Sequence, residues 1–340
     1  MLAAGVRHTV LLRSDGTAAA CGLNGDGRCD LPALPAGLTY TQVAAGGGHT
    51  VLLRSDGTAA ACGLNGDGQC DLPALPAGLT YTQVAAGVRH TVLLRSDGTA
   101  AACDFNGDGQ CDLPALPAGL TYTQVAAGGG HTVLLRSDGT AAACGLNGDG
   151  QCDLPALPAG LTYTQVAAGG RHTVLLRSDG TAAACGRNRD CQCDLPALPA
   201  GLTYTQVAAG GGHTVLLRSD GTAAACGLNG DGQCDLPALP AGLTYTEHLL
   251  PALLLQASLD TDSMVFVTFG GVERCRIRAA PTARLRDIYL QLAAEHRAGL
   301  APEPGASRPF CREAARSASP RPKRRSPAHP PQPLLPRRPS

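Results

Sequence analysis

Six histidines, His8, His49, His90, His131, His172 and His213, recur every 41 residues in a chain of 340. Imidazoles at a fixed repeat could ligate a metal ion or move protons near neutral pH. No carboxylate follows them at a spacing that suggests an acid–base dyad, so catalysis lacks a partner group. Twelve of the fifteen cysteines keep the same period, at Cys21 and Cys29 and their equivalents, while Cys191, Cys275 and Cys311 stand outside it. A pair such as Cys62 and Cys70 could close a disulfide or hold zinc between units, but seven intervening residues are not a zinc-knuckle spacing. The denser group Cys185, Cys191 and Cys193 arises where Gly-Asp-Gly has become Arg189-Asp190-Cys191, and reads as drift in a loop. Asp104-Phe105-Asn106-Gly107-Asp108-Gly109 matches the start of a calcium-binding helix–loop–helix segment. Position twelve, however, is Ala115 where a bidentate Glu is needed, and Pro114 and Pro117 forbid the following helix. No metal and no cofactor are expected.

The elements that must position these residues follow from the period. One unit, Val43 to Gln83, reads VAAGGGHTVLLRSDGTAAACGLNGDGQCDLPALPAGLTYTQ. It is too short to bury a core alone and must stack on its neighbours. Gln42–Ala45 and Thr50–Arg54 read as short strands, Ser55-Asp56-Gly57 as a hairpin turn, and Ala59–Cys62 as the returning strand. A Gly-rich loop follows, and Pro73, Pro76 and Gly78 prevent a helix before the next extended run at Leu79–Val84. Three or four strands per unit and no helix predict an all-β fold, a β-propeller of six 41-residue blades, with a stacked β-solenoid as the rival. Leu2 is equivalent to Val43, and Tyr245-Thr246 to Tyr40-Thr41. The repeat is therefore cut within one extended segment, as a ring closed by its own two ends would need, although six units leave closure open.

Composition agrees. With 44 Gly, 25 Pro and 3% aromatics, the core must be thin and stability must come from repetition. Up to Glu247 there are 12 Lys/Arg against 20 Asp/Glu, and from His248 onward 15 against 7, so a body at −8 precedes an end at +8. That asymmetry predicts an acidic partner for the basic end. Met1 leads straight into the repeat without an apolar run, so a reducing, cytoplasmic setting with buried thiols is expected. Leu249–Leu259 is too short to span a bilayer, and no membrane partner is expected.

The run Val-Ala-Ala-Gly-x-x-His-Thr-Val-Leu-Leu-x-x-Asp-Gly-Thr-x-x-x-Cys-Gly-x-Asn-x-x-Gly-Gln-Cys resembles the propeller repeat of the regulator of chromosome condensation family, over Leu2 to about Thr246. Cys62 and its equivalents stand where that family has Trp, and the units are shorter, closer to compact bacterial members that include a β-lactamase-inhibiting propeller. The resemblance implies a structural role for the six histidines, hydrogen-bonded between strands, and apolar core positions for the repeat cysteines. Arg54 and Asp56 read as a solvated charge pair flanking the turn.

The units differ mainly at the two residues before each His, and at loop residues Arg28, Phe105, Arg187 and Arg189. Loops at blade ends carry recognition, so Arg7, Arg89, Arg171 and Arg187 are the partner-contact candidates, with neutral variation among recent duplicates as the alternative.

After a linker at 248–262, Met264–Phe269, Gly270-Gly271 and Val272–Ala279 predict a β-hairpin, and Thr282 can cap a helix carrying Leu285, Ile288 and Leu292. The order resembles the opening ββα of a ubiquitin-like domain over 263–298; residues 299–340 read as a disordered Pro/Arg-rich tail. Pro322-Lys323-Arg324-Arg325 is similar to a nuclear-import signal, the alternative localisation. These features predict a non-enzymatic protein-interaction scaffold, in its sharpest version a substrate adaptor in a ubiquitin pathway. Nucleotide exchange on a small GTPase and capping of an enzyme by the loop face are the alternatives. Nucleic acid is not an expected partner. Light sensing by Trp clusters is excluded, because the chain has no Trp.

Overall fold

The computed structural model describes residues 1–240, 243–245, 264–265 and 277–278. Residues 1–245 contain six three-stranded antiparallel sheets. In blade 2 an inner strand, Tyr40–Ala45, pairs with a middle strand, His49–Arg54, which pairs with an outer strand, Ala59–Gly63. Blades 3 to 6 repeat this, with inner strands Tyr81–Ala86, Tyr122–Ala127, Tyr163–Ala168 and Tyr204–Ala209. Blade 1 has a shorter inner strand, Leu2–Ala4. All six inner strands line one narrow axial channel, walled largely by Ala and Val. The blades therefore radiate about an axis as in a propeller, rather than stacking as a solenoid.

The middle strand shows why a six-residue run suffices. Its side chains alternate between two neighbouring blades: Val51 and Leu53 pack with Tyr81, Val84, Ala86 and Leu93 of blade 3, whereas Leu52 joins Val10 and Ala3 of blade 1. Both faces are covered, so the strand reads as a nearly continuous apolar run. A bulge between Tyr40 and Gln42 places Thr41 outside the register and leaves Tyr40 and Gln42 both buried. The Tyr40 hydroxyl donates to the Pro32 carbonyl at 2.6 Å, which ties the Pro-containing loop of one unit to the inner strand of the next. At the Ser-Asp-Gly turn the two charges do not pair: Asp56 accepts from the Thr58 N–H and hydroxyl at 2.9 and 2.7 Å, and Arg54 also donates to Thr58, at 3.3 Å. Those bonds hold the Asp56 carboxyl below its usual range.

Polar clasps repeat at each junction. The His8 ring meets Thr50 of blade 2 at 2.9 Å, and the Thr50 hydroxyl donates to the Arg28 carbonyl at 2.7 Å. The Gln83 side chain donates to the Val125 carbonyl and accepts from the Val125 N–H, both at 3.0 Å. Near the axis, a Cβ on Gly46 would lie 2.4 Å from the Gly87 carbonyl and 2.5 Å from the His49 ring, so only glycine lets successive blades approach this closely.

Further backbone and side-chain bonds run along the same junctions from blade 1 to blade 6. The Ser55 N–H donates to the Thr39 carbonyl at 2.8 Å, the Gly170 N–H to the Gly210 carbonyl at 3.0 Å, and the Val207 N–H to Gln165 at 2.8 Å. Among the described residues, the counterparts that would close the ring, Ser14 to Thr244, Gly211 to Gly5 and Leu2 to Gln206, are not made. Thr9 and Leu11 of blade 1 and Val215 of blade 6 are half-exposed, whereas Thr50, Leu52 and Val51 are fully buried. Among the described residues, blades 6 and 1 therefore lack the junction that the other five pairs share.

Beyond residue 245, Met264–Val265 and Ile277–Arg278 form an antiparallel pair, Met264 opposite Arg278 and Val265 opposite Ile277. The linker, the helix of the ubiquitin-like reading, the basic tail and its import-like segment lie outside the described residues.

Candidate functional site: the loop face

At one end of the propeller each blade presents two short segments, the turn before its His and the loop after its outer strand. Asn65 holds that loop: its Nδ2 donates to Asp71 at 2.9 Å and its Oδ1 accepts from the Cys70 N–H at 2.7 Å. Buried Gln69 adds an acceptor for the Asp67 N–H at 3.1 Å. The Asn-x-x-Gly-Gln-Cys-Asp run is therefore a self-bonded loop whose amides and carboxylates serve one another. Among the described residues no three or more His, Cys, Asp or Glu side chains converge as metal ligands, and Asn106 is engaged with Asp112 at 2.7 Å.

A backbone bond joins the two segments. The N–H of Leu23, Leu64, Leu146, Arg187 and Leu228 donates to the carbonyl of Arg7, Gly48, Gly130, Arg171 and Gly212 respectively, at 2.8–2.9 Å. The two sets of positions where the units differ are thus neighbours in space. Blades 2, 4 and 6 carry Gly before the His with Leu beside it; blades 1, 3 and 5 carry Arg7, Arg89 and Arg171. All three arginines are exposed. Arg89 lies over the Phe105 ring, 5.6 Å from its centre. Arg171 reaches Asp149 of the preceding blade at 3.2 Å. Arg187 pairs within its own loop with Asp190, at 3.5 Å. Arg28 does not belong to the surface: it is 5% exposed, fills the Gln position, pairs with Asp26 and donates to the Gly47 carbonyl at 3.1 Å.

Sequence reasoning passed over the apolar half of this face. Leu23, Leu64, Val88 and Leu228 stand 45%, 38%, 38% and 42% exposed, and Leu64 and Leu228 cover the glycines Gly48 and Gly212. The available signal was a Leu between Gly and Asn in a loop that has no other apolar residue.

Blade 3 departs from the rest. Asp104 occupies a position where the other units have Gly with φ between 106° and 118°, and itself holds φ 106°. Its carboxylate takes the Phe105 N–H, so the backbone bond to Arg89 is replaced by a side-chain bond. Desolvation, with Asp67 and Asp71 nearby, pushes the Asp104 carboxyl up to about 6.

The repeat histidines sit beneath the face. Because the Thr91 hydroxyl donates to the Gln69 carbonyl at 2.8 Å, it must accept from His49 Nε2–H, which assigns the tautomer. His49 Nδ1 is then a buried acceptor without a partner, turned toward Gly46. Burial lowers His8, His49, His131 and His172 to about 4, and His90 to about 3. Such groups are neutral at physiological pH and unsuited to proton exchange with solvent. The repeat cysteines are half-buried rather than in the deep core. Cys62 points at the Arg28 carbonyl, 3.7 Å away, and Cys70 at the Leu64 carbonyl, 3.5 Å away. Burial pushes the two thiols up to about 12 and about 11, which suppresses thiolate reactivity.

Comparison with known proteins agrees with this geometry. The regulator of chromosome condensation (RCC1) repeat matches residues 40–69, 122–151, 163–192 and 204–233. The fold is an RCC1-like β-propeller. The two units without a match are blade 1, which lacks the Tyr-Thr-Gln opening, and blade 3, which has Asp104-Phe105 for Gly-Leu. No curated protein matches the chain. Among solved structures, Prp20p from Saccharomyces cerevisiae aligns with a TM-score of 0.59 at 20% identity, over 88% of this chain and 85% of that one. Yeast RCC1 (Prp20) bound to Kap60 gives 0.58 at 21%, over 78% and 76%, and human WBSCR16 gives 0.57 at 20%, over 68% and 78%. The Prp20p structure is described with its binding to Gsp1p and histones. At these identities the RCC1-like propellers share a fold with this chain. Among the described residues no helix is long and apolar enough to cross a membrane.

Proposed function

We propose that this propeller is a non-enzymatic protein-binding scaffold whose loop face is the docking surface. One observation carries the reading: on a frame repeated almost without change, the exposed arginines Arg7, Arg89 and Arg171 of blades 1, 3 and 5 share a single face with the exposed apolar side chains Leu23, Leu64, Val88 and Leu228. Arginine beside apolar side chains is the composition of interface centres, where a truncation costs on the order of 1–2 kcal/mol or more. The chemistry suits a protein partner with apolar knobs flanked by acidic groups. A comparison protein of the same fold, yeast RCC1 (Prp20), is seen bound to Kap60 and is described as binding Gsp1p and histones, which supports the class of function. The exchange-factor alternative rests on fold likeness, and no residue of this face singles it out. The ubiquitin-pathway version rests on residues outside the described set.

The test is quantitative affinity capture with the wild-type chain, a triple Arg7→Ala, Arg89→Ala, Arg171→Ala variant, and a control, Arg136→Ala, at the opposite end of the blades. Proteins retained by the wild type and the control but lost from the triple variant support the scaffold reading. Equal capture by all three removes the loop face from function.

A further inference from the structure

We propose that the open seam between blade 6 and blade 1 docks a second copy of this chain, head to tail. The two sides of the seam are the halves of an interface that the chain already forms five times. On the blade-1 side stand Leu2, Thr9 and Leu11, the equivalents of Val43, Thr50 and Leu52, which blade 1 itself buries in blade 2. On the blade-6 side stand Gln206, Val215 and Leu217, the equivalents of Gln42, Val51 and Leu53, which blade 3 buries. At the seam all six are partly exposed.

The polar groups are as informative as the apolar ones. Each inner-strand glutamine from Gln42 to Gln165 accepts the N–H of a Val in the next blade, at 2.5–3.0 Å. Gln206 has no such partner among the described residues, and the Leu2 N–H has no such acceptor. The Thr9 hydroxyl likewise lacks the carbonyl that Thr50, Thr91 and Thr132 find in the loop of the preceding blade. Half-exposed amides and hydroxyls at fixed positions, set among apolar side chains, define a partner with the matching pattern. A second copy presents that pattern by construction, because its blade-1 side is the surface that a blade-6 side fits. The interface is heterologous: one chain gives its blade-6 side, the next its blade-1 side, and each chain keeps one side free for a further copy.

Sedimentation velocity of the full chain across the micromolar range tests this directly. The expected result is a mass that rises with concentration through two-chain to longer species. Leu11→Arg blocks one side and Val215→Arg the other, so each variant alone should remain a single chain, while an equimolar mixture should stop at a one-to-one dimer through the two intact sides. Three results each overturn the proposal: a wild-type chain that stays single throughout; a Leu11→Arg chain that still self-associates; and a mixture without dimer although both variants keep the wild-type β-sheet circular dichroism. The wild-type series decides the matter even where a variant fails to fold.

Discussion

Acid should dismantle this propeller through its histidines well before its turn carboxylates protonate. His8, His49, His131 and His172 are held near 4 and His90 near 3, against an ordinary value of 6.5. The neutral form is favoured in the fold for two reasons: desolvation, and the absence of an acceptor at Nδ1, where the second proton would go. Below pH 6.5 the unfolded chain therefore binds protons that the folded chain does not. Stability falls as pH drops through that value and levels only near the folded values. At about 1.4 kcal/mol per pH unit, each such histidine costs about 2 kcal/mol by pH 5. Asp104, pushed up to about 6, acts in the opposite direction over the same window and offsets about one histidine. The turn aspartates, such as Asp56 and Asp138, are held low and take effect only below the ordinary 3.8. Urea unfolding of the wild-type chain should show a proton uptake that grows as the pH falls, averaging about three protons between about pH 7 and about pH 5 and approaching about four at the lower end. His131→Gln should lower the slope by about one proton. Stability that is flat over this range, or uptake of fewer than two protons, would refute the assignment of the histidines as neutral clasps.

Other consequences are measurable on the same protein. Asp104→Gly relieves a positive φ and a buried carboxyl oxygen without a partner, and should stabilise by about 1–3 kcal/mol in chemical denaturation. Leu134→Ala, at a side chain with no exposure, should destabilise by about 2–5 kcal/mol, whereas Leu11→Ala at the seam should cost distinctly less in the same assay. Thr132→Val removes the oxygen that His90 bonds at 3.0 Å and that donates to the Gln110 carbonyl; a loss of about 1–3 kcal/mol is expected from the stranded partners, by thermal or urea unfolding. Thiol labelling at neutral pH should modify exposed Cys191 well before Cys62 or Cys144, which peptide mapping would reveal.

The blades were legible because the unit is punctuated: Ser55-Asp56-Gly57 ends one strand, Gly63 the next, and Pro73 and Pro76 keep helix out of the return. The strand count and the His spacing needed nothing more. Side-chain partners were less legible. Arg54 and Asp56 looked like an ion pair by proximity, yet Thr58 draws both, since a hydroxyl two residues from Asp competes better than a long cation at the surface. Arg28 looked like a surface substitution of Gln and is instead buried against Asp26. Leu64 was passed over within its loop, and it stands exposed because its neighbour Gly48 has no side chain to cover it. The opening between the first and last blades could not be read at all, because Val10 and Val215, or Leu11 and Leu216, belong to the same pattern and differ only in what lies beside them.

That sameness has a consequence for how the molecule counts. The junctions do not distinguish the third blade from the fifth, since His90 meets Thr132 as His172 meets Thr214, at 3.0 Å in both. Blade number is therefore not written in any junction residue; it emerges from the angle that one junction sets, accumulated around the axis. A chain lengthened or shortened by a whole 41-residue unit would keep every surviving contact and change only the width of the gap. Copy number becomes a variable that gene duplication can alter without touching the chemistry of a single side chain.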